Sequence, residues 1–252
     1  GGSSVADTTK IKNIAAKLAK RIREGNKLVV VVSAMGKTTD NLIKTAKEIT
    51  GNIVPRELDM LLTTGEQVSA ALVSIALNDI GIKAKSLNAF QLEIVTTGNF
   101  NEARIKNLKV DKLQELLEEY DALIITGFQG ITEEGEITTL GRGGSDTSAV
   151  ALAAALNVKC EIYSDVAGVY STDPRIHPEA KKLKYVTYDE MLEMASLGAK
   201  VLHSRSVEVA KKFGITVYCA STFSDEEGSY VVADNLEEPV VTGLSVMDNQ
   251  TQ

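Results

Sequence analysis

The sequence is poor in cysteine and has no excess of basic residues, which bears on metal sites, disulfides and nucleic-acid binding. It contains two cysteines, Cys160 and Cys219, and neither stands at metal-ligand spacing from another ligand. Both lie in apolar, β-branched stretches, which predicts buried free thiols in a reducing compartment. The formal net charge is -7, so there is no basic excess and we expect no nucleic-acid partner.

Long apolar runs and targeting segments are also missing from the sequence. We find no apolar run long enough to span a bilayer and no signal peptide at the start. We therefore expect a cytoplasmic protein without membrane association. The sequence has no internal repeat or low-complexity linker, and its 252 residues fit a single α/β domain.

Hydrophobic periodicity predicts strands that alternate with helices. The predicted helices cover 11–22, a stretch around 42–46, 56–77 with an interruption near Gly65, 108–120, 149–156, 188–195 and 204–213. The predicted strands cover 27–32, 82–87, 93–96, 121–126, 137–140, 159–163 and 215–218. The alternation predicts an α/β sandwich with a parallel or mostly parallel sheet.

Three predicted strands end in small, polar, glycine-bearing segments, at 33–36, 126–130 and 164–168. In α/β folds, ligands bind at the carboxyl ends of the strands. These three segments are therefore the first reason to expect a ligand crevice.

Two further segments have both an anion-binding and a structural interpretation. The opening Gly1-Gly2-Ser3-Ser4 can turn backbone N–H groups toward an anion, or it is a flexible terminus. The segment 33–39 resembles half of a Walker A loop, but the position that needs the first glycine is Val31, so we reject a P-loop. What remains is a loop with hydroxyls and a lysine, or a helix N-cap by one of its two threonines, Thr38 or Thr39.

The segment from Gly141 to Ser148 is the most informative motif in the sequence. Its three glycines permit close approach of a ligand, and Arg142 can bind a carboxylate or phosphate with two parallel hydrogen bonds. Ser145 or Asp146 can cap the following helix. A plain tight turn does not need three glycines around one arginine, so we interpret this segment as a binding loop.

Other candidate residues have weaker local support. Glu66 can cap a helical segment, or it can hold a substrate ammonium group. In the loop 164–175, Asp165 is placed to bond a ribose or purine edge, Tyr170 to stack or pack on the base, and Arg175 to reach phosphates. The structural alternative for this loop is a β-turn formed by its Asp and Pro residues. The turn 198–203 adds Lys200.

Taken together and in this order, these segments resemble the aspartate kinase branch of the amino acid kinase family. The resemblance covers nearly the whole chain, to about Gly243. Its most specific parts are 141–148 and the loop 164–175, and the remaining matching segments are 1–7, 32–40, 61–67, 126–130 and 198–203.

The resemblance implies a three-layer α/β/α sandwich that binds L-aspartate and ATP side by side. It implies transfer of the γ-phosphate of ATP to the aspartate side chain, a step toward lysine (through diaminopimelate), threonine and methionine, with Mg²⁺ carried by ATP. Glu66 would bind the ammonium group and Arg142 a carboxylate. The implied substrate-binding residues are Thr39, Glu66, Arg142, Gly143, Gly144 and Ser145. The implied ATP-binding residues are Gly1, Gly2, Ser3, Ser33, Ser145, Ser164, Asp165, Tyr170, Arg175 and Lys200, and Arg142, Asp165 and Lys200 are the implied catalytic residues.

The family pattern also sets expectations for the ends of the chain. Family members have a strand and a lysine just before the Gly-Gly-Ser segment, and this sequence begins at Gly1. We expect a catalytic domain over 1–246 without that strand, the start of a linker at 247–252, and no regulatory domains. A dimer or another homo-oligomer, or association with regulatory domains, is expected.

Two alternatives remain at this point. One is a family kinase for another acid, such as glutamate or acetylglutamate, against which the Glu66 segment and the Arg142 loop argue. The other is a non-catalytic binding or regulatory subunit that keeps the fold.

Overall fold

The chain divides into two compact units, Gly1–Ala149 and Val150–Gln252. The computed structural model describes residues 1–197 and 201–233. The boundary that we predict at residue 246 and the linker that we predict at 247–252 lie outside the described residues. The single catalytic domain therefore stays a prediction.

Helices and strands alternate along most of the described chain. A 3-10 helix covers Gly2–Val5, and the α-helices are α1 (Thr8–Arg23), α2 (Thr38–Ile49), α3 (Pro55–Leu62), α4 (Thr64–Asp79), α5 (Ala89–Leu92), α6 (Val110–Glu119), α7 (Gly144–Leu156), α8 (Tyr188–Ser196) and α9 (Ser204–Phe213). The strands of the first unit are β1 (Leu28–Val32), β2 (Ala84–Leu87), β3 (Val95–Thr96), β4 (Ile105–Asn107), β5 (Ala122–Thr126), β6 (Gln129–Ile131) and β7 (Ile137–Thr139). Those of the second unit are β8 (Cys160–Ser164), β9 (Val169–Tyr170), β10 (Lys182–Leu183), β11 (Tyr185–Thr187), β12 (Val217–Ser221) and β13 (Ser229–Val232).

The first unit is built on two sheets. One is parallel, with strand order β1-β5-β2, and every residue of its central strand β5 is buried. The other has the order β4-β3-β6-β7 and mixes parallel and antiparallel pairs. Helix α1 buries Ile11, Ala15 and Ala19, at the four-residue spacing of one helix face, in a core shared with α4 and the parallel sheet. This core holds the carboxyl ends of β1 and β5 side by side.

The second unit has a four-stranded sheet of order β11-β13-β12-β8 and a two-stranded ribbon of β9 and β10. A capping box begins α8, since Thr187 accepts from the Glu190 amide and the Glu190 side chain accepts from the Thr187 amide. The Tyr188 hydroxyl then donates to the Ile215 carbonyl at 2.8 Å, which fixes α8 to the chain entering β12. Cys160 and Cys219 are buried thiols that form no disulfide with each other, as predicted.

The predicted α/β class is confirmed, and among the described residues five strand pairings are parallel and four are antiparallel. The predicted strands and the long helices are present, with ends shifted by a few residues. Several very short strands, such as β9 and β10 with two residues each, were not predicted, whereas β3 lies within the longer strand predicted at 93–96. Two residues cannot show an alternating hydrophobic pattern, so periodicity misses them.

We expected no apolar run long enough to span a bilayer, but one stretch, Pro55–Asp79, is long and apolar enough to do so by length and composition. However, half of its most apolar window is buried inside the structure. The stretch is also two helices, because the chain breaks at Thr63, two residues before the predicted interruption at Gly65. Two buried acidic side chains, Asp59 and Glu66, lie in it. These are the features of core helices packed against polar partners rather than of a membrane span.

Candidate active site

The N-terminal segment packs directly on the loop that follows β1. The Gly36 amide donates to the Gly2 carbonyl at 3.0 Å, and a Cβ at Gly2 would lie only 2.7 Å from the carbonyl oxygen of Ala34. Only glycine fits at this approach. Gly1 is exposed and Ser3 half-buried, and residues 2–5 form a 3-10 turn, so the interpretation as a flexible terminus is wrong.

The same loop begins α2, but neither threonine caps that helix. The residue at the N-cap position is Lys37, which makes no side-chain capping bond. The Thr38 hydroxyl instead donates backward to the Met35 carbonyl at 2.6 Å. Thr39 and Ser33 are half-buried, and their hydroxyls have no hydrogen-bond partner among the described residues. These two hydroxyls are therefore free to bind a ligand.

Glu66 lies in the first turn of α4 and is only 3% exposed. Its Oε1 accepts from the Ala34 amide at 3.1 Å, while its Oε2 is buried without a partner among the described residues. Burial raises the pKa of Glu66 to about 7, against the opposing effect of hydrogen bonds from the backbone amides of Ala34 and Glu66. A buried carboxylate oxygen that lacks a donor costs free energy, so the oxygen is suited to a cationic ligand group.

The end of β5 brings the glycine-rich motif to the same edge of the sheet. The Gly127 amide donates to the Val32 carbonyl at 3.0 Å, so the ends of β1 and β5 are bonded. A Cβ at Gly127 would lie 2.8 Å from the Ser145 hydroxyl oxygen, which leaves room for no other residue type. The Phe128 amide donates to the Ser148 hydroxyl at 3.1 Å. The first turn of α7 is thereby held against the strand end.

A tight turn, Gly141–Gly144, leads from β7 into α7 and carries Arg142 at its exposed tip. We call it the Arg142 turn. Gly141 and Gly143 have φ of +77° and +68°, a conformation that favours glycine. The Gly144 amide closes the turn by donating to the Gly141 carbonyl at 3.1 Å. The Arg142 side chain has no hydrogen bond or ion pair with the described residues.

Ser145 and Asp146 do not cap α7, contrary to expectation. The helix begins at Gly144, about one turn earlier than predicted, so both residues lie inside its first turn. The glycines with positive φ allow the chain to enter the helix directly from the turn. Within this first turn, the Gly144 and Thr147 amides already donate to the carbonyls of Gly141 and Gly143. The Ser145 amide has no acceptor among the described residues and can face an anion.

Sequence reasoning missed Asp59, which is fully buried in α3. Its carboxylate accepts from the Asn101 amide, the Thr139 amide and the Thr139 hydroxyl, the last at 2.6 Å. Burial raises the pKa of Asp59, while the hydrogen bonds from Thr139 and Asn101 act in the opposite direction. The available signal was an acidic residue among the apolar residues of a predicted core helix.

Four of the predicted ATP-binding residues, Ser164, Asp165, Tyr170 and Arg175, lie in the second unit, in the loop after β8 and its continuation. The Ser164 hydroxyl accepts from the Val166 amide at 3.1 Å, and Asp165 is exposed. Tyr170 is in β9, paired with Lys182 of β10, whose ammonium lies 5.7 Å from the ring centroid. Arg175 forks onto Asp173 with contacts of 3.0 and 2.6 Å. The ion pair with Asp173 raises the pKa of Arg175.

The structure thus brings together one set of predicted residues in the first unit, namely Gly2, Ser3, Ser33, Thr39, Glu66 and the 141–145 segment, around the ends of β1 and β5. Ser164, Asp165, Tyr170 and Arg175 form a second set on the second unit. Lys200 lies outside the described residues. The roles of all these residues stay predictions.

Glycine-rich loops at the carboxyl ends of neighbouring parallel strands are the arrangement with which α/β proteins bind small ligands. The sequence model of the amino acid kinase family matches residues 1–221, which include both sets of predicted site residues up to Arg175. The chain belongs to the amino acid kinase family.

Individual relatives agree with this placement. The chain is 51% identical over 255 residues to the aspartokinase of Bacillus sp. (strain MGA3), which covers all of this chain and 62% of that relative. It resembles the crystal structure of aspartate kinase from Synechocystis with a TM-score of 0.81 and 51% identity, covering 93% of this chain and 39% of that one.

A solved complex shares the fold as well. E. coli aspartokinase III in complex with aspartate and ADP matches with a TM-score of 0.86 and 27% identity, over 95% of this chain and 64% of that one. The chain spans about three-fifths of the length of the curated relatives it matches.

Proposed function

We propose that this chain forms the catalytic part of an aspartate kinase, which transfers the γ-phosphate of ATP to the side-chain carboxylate of L-aspartate to give 4-phospho-L-aspartate. The product would enter the biosynthesis of lysine, threonine and methionine. Relatives named aspartokinase at about 50% identity support this function. A solved relative in complex with aspartate and ADP supports both substrates.

The observation that carries the proposal is Glu66. Its Oε2 is buried without a donor, next to the loop after β1. An α-ammonium group supplies the missing donor and the opposite charge, and it explains why a buried acid is tolerated there. Acetylglutamate has no such ammonium group, so this site favours a free amino acid as the substrate.

Arg142 supplies the complementary recognition of a carboxylate. Its guanidinium is exposed and without a partner among the described residues, on a turn whose flanking glycines leave its surroundings open. A planar guanidinium matches a carboxylate with two parallel hydrogen bonds. The carboxylate of Glu66 and the guanidinium of Arg142 are therefore complementary to the ammonium group and a carboxylate of aspartate.

The chemistry requires no general base. A carboxylate with a reference pKa of about 3.9 is already ionised at neutral pH. The barrier arises because an anionic nucleophile must approach an anionic phosphate, so catalysis depends on positioning and on neutralising charge. Arg142 and the Ser145 amide at the start of α7 would hold anionic oxygens in place. Asp165, Tyr170 and Arg175 would orient the nucleotide, and Lys200 would add a cation.

Mg²⁺ would accompany ATP. Among residues 1–197 and 201–233, no three His, Cys, Asp or Glu side chains converge as a metal site. Mg²⁺ that arrives with ATP needs no such cluster, because it takes most of its ligands from phosphates and water and at most one or two carboxylates from the protein. When bound, the ion supplies positive charge at the phosphates. We also propose a cytoplasmic location and assembly as a dimer or with regulatory domains.

Aspartate-dependent ATP consumption by the complete gene product tests the proposal, with acyl phosphate trapped as the hydroxamate. We expect turnover with L-aspartate and Mg²⁺, and much less with L-glutamate or N-acetyl-L-glutamate. Equal turnover with glutamate, or none with aspartate, would contradict the assignment. Binding of aspartate and nucleotide without turnover would indicate a non-catalytic binding subunit instead.

A further inference from the structure

Asp59 is the most completely bonded acidic side chain of the first unit that the predicted site does not include. It is 0% exposed, and three donors converge on its two oxygens. Asp59 Oδ2 accepts from the amides of Asn101 and Thr139 at 3.0 and 2.8 Å, and Oδ1 accepts from the Thr139 hydroxyl at 2.6 Å. An ionised carboxylate is the side chain that offers acceptors alone, so it suits a place where only donors meet.

Both partners of Asp59 adjoin the Arg142 turn. Thr139 ends β7, two residues before Gly141. Asn101 has a left-handed backbone with φ of +66°, and its carbonyl oxygen lies 2.8 Å from the place where a Cβ of Gly141 would stand. The carboxylate therefore fixes the strand that enters the turn and the backbone that packs on it.

The Arg142 turn needs such support. Two of its four residues are glycines with positive φ, and glycine has wide conformational freedom. A non-glycine residue such as Asn101 at positive φ is also strained unless its surroundings hold it. Without Asp59, the amides of Asn101 and Thr139 would lose their acceptor, and the base of the turn would lose its fixed geometry.

We propose that Asp59 is a positioning residue, which places the guanidinium of Arg142 for the substrate carboxylate by holding Asn101 and Thr139. This proposal rests on the proposed function, because its readout is the binding of aspartate. Asp59 itself is buried and does not touch the ligand.

The test is Asp59→Asn in the complete gene product, with each substrate varied separately. The amide keeps the size of the side chain but turns an NH₂ group toward N–H donors. We expect the KM for aspartate to rise about tenfold or more, while the KM for ATP changes less than about threefold. A merely structural defect would reduce the folded fraction, so it would lower kcat and leave both KM values unchanged.

A double-mutant cycle with Arg142→Lys makes the test specific. If Asp59 acts through Arg142, Asp59→Asn should raise the KM for aspartate much less once the guanidinium is gone. Independent effects of the two substitutions would overturn the proposal, and so would an unchanged KM for aspartate in Asp59→Asn.

A second variant covers the case in which Asp59→Asn does not fold. Thr139→Val removes only the hydroxyl donor and keeps both backbone amides on Asp59, and we expect a rise of roughly threefold to tenfold in the KM for aspartate. Leu113→Ala in α6, at a site 1% exposed, is the control for destabilisation. It should lower the melting temperature and leave both KM values unchanged.

The two proposals fail in different ways. A wild-type protein without aspartate-dependent turnover would overturn both. An active wild type whose aspartate KM is unaffected by Asp59→Asn and by Thr139→Val would overturn only the role of Asp59.

Discussion

Two buried carboxylates lie seven residues apart on consecutive helices, and they differ in how their oxygens are satisfied. Asp59 on α3 accepts from three donors that surround the base of the Arg142 turn. Glu66 on α4 accepts from the Ala34 amide with one oxygen, and its other oxygen has no partner among the described residues. Both are buried, at 0% and 3% exposure, so burial alone does not tell them apart.

We propose that this difference separates a carboxylate that builds the site, Asp59, from one that binds a ligand in it, Glu66. A buried acid with all its hydrogen bonds made holds the chain in one conformation. A buried acid with an unsatisfied oxygen is unstable until a ligand supplies the donor. The same distinction holds for two exposed arginines, since Arg142 is unpaired among the described residues while Arg175 is forked onto Asp173.

The largest expected effect follows from removing the charge of Glu66. Glu66→Gln should lower kcat/KM for aspartate by between about 100-fold and several thousandfold, because breaking a buried ion pair costs about 3–5 kcal/mol. The KM for ATP should change little. Succinate, which is aspartate without the ammonium group, should be a poor substrate of the wild type, and the variant should discriminate less between the two acids. Steady-state kinetics with both acids measures this.

Glu57→Gln provides the matched control for Glu66→Gln. Glu57 lies on α3 with an exposed side chain and an ion pair to Arg56, so the same substitution there should leave the kinetics unchanged. An aspartate KM that is equally unaffected in Glu66→Gln would make Glu66 a structural residue and remove its difference from Asp59.

The second prediction uses the dependence of stability on pH. The folded pKa of Glu66 is about 7, against 4.5 for the free side chain. The ligand-free folded state therefore binds more protons than the unfolded state between these values, and its stability falls as pH rises through this window. The loss amounts to about 3 kcal/mol above pH 7. Glu66→Gln avoids it, so the variant should match the wild type near pH 4.5 and become more stable than it toward pH 8.

Denaturant unfolding of the ligand-free complete protein at several pH values checks this prediction. Asp59→Asn should shift stability the other way at pH 8, with a loss of about 1–3 kcal/mol, because it leaves buried donors without an acceptor. The same sign for the two variants at pH 8 would contradict the division of the two acids into structural and ligand-binding residues.

Much of the fold was predictable because its longer helices and strands carry a periodic hydrophobic pattern. The five residues of β5 and the 16 residues of α1 carry their periodicity in the sequence, so local patterns suffice. The strands of two or three residues, such as β9 and β6, exist because they pair with neighbours. Two or three residues are too few to show a hydrophobic period of their own, so such strands are predicted only where adjacent residues extend the pattern, as at β3 and β7.

The candidate site was predictable only in part for the same reason. Glycines around Arg142 point to a binding turn from their residue types alone. By contrast, Glu66 Oε1 accepts from the Ala34 amide, 32 residues earlier, and only the fold shows that Oε2 is buried without a donor among the described residues. The bond of Asp59 to Thr139 spans 80 residues. Residue types identify groups that bind ligands, whereas the groups that position them appear only once the chain has folded.

A third, smaller effect is expected at Arg142, the unpaired arginine. Arg142→Lys keeps the positive charge and loses the planar fork, so kcat/KM for aspartate should fall by roughly tenfold to a hundredfold, or about 1.5–3 kcal/mol. The KM for ATP should change much less. Kinetics with each substrate varied separately, together with a melting curve, measures this.

Arg142→Ala should be worse than Arg142→Lys, because it removes the charge as well. The competing interpretation is that Arg142 only stabilises the turn or binds a phosphate. In that case Arg142→Lys would lower the melting temperature or raise the KM for ATP, and the dependence on aspartate would remain intact.

The smallest effect is expected at Arg175, the paired arginine, whose guanidinium must exchange Asp173 for a phosphate oxygen before it can help to bind ATP. Arg175→Ala should raise the KM for ATP severalfold and leave that for aspartate unchanged. The melting temperature should not move, since an exposed ion pair contributes little to stability. Lys181→Ala, at an exposed cation of the same unit, controls for general loss of positive charge. An equal rise in both variants would indicate only long-range attraction of ATP, and a lower melting temperature in Arg175→Ala alone would make the pair with Asp173 structural.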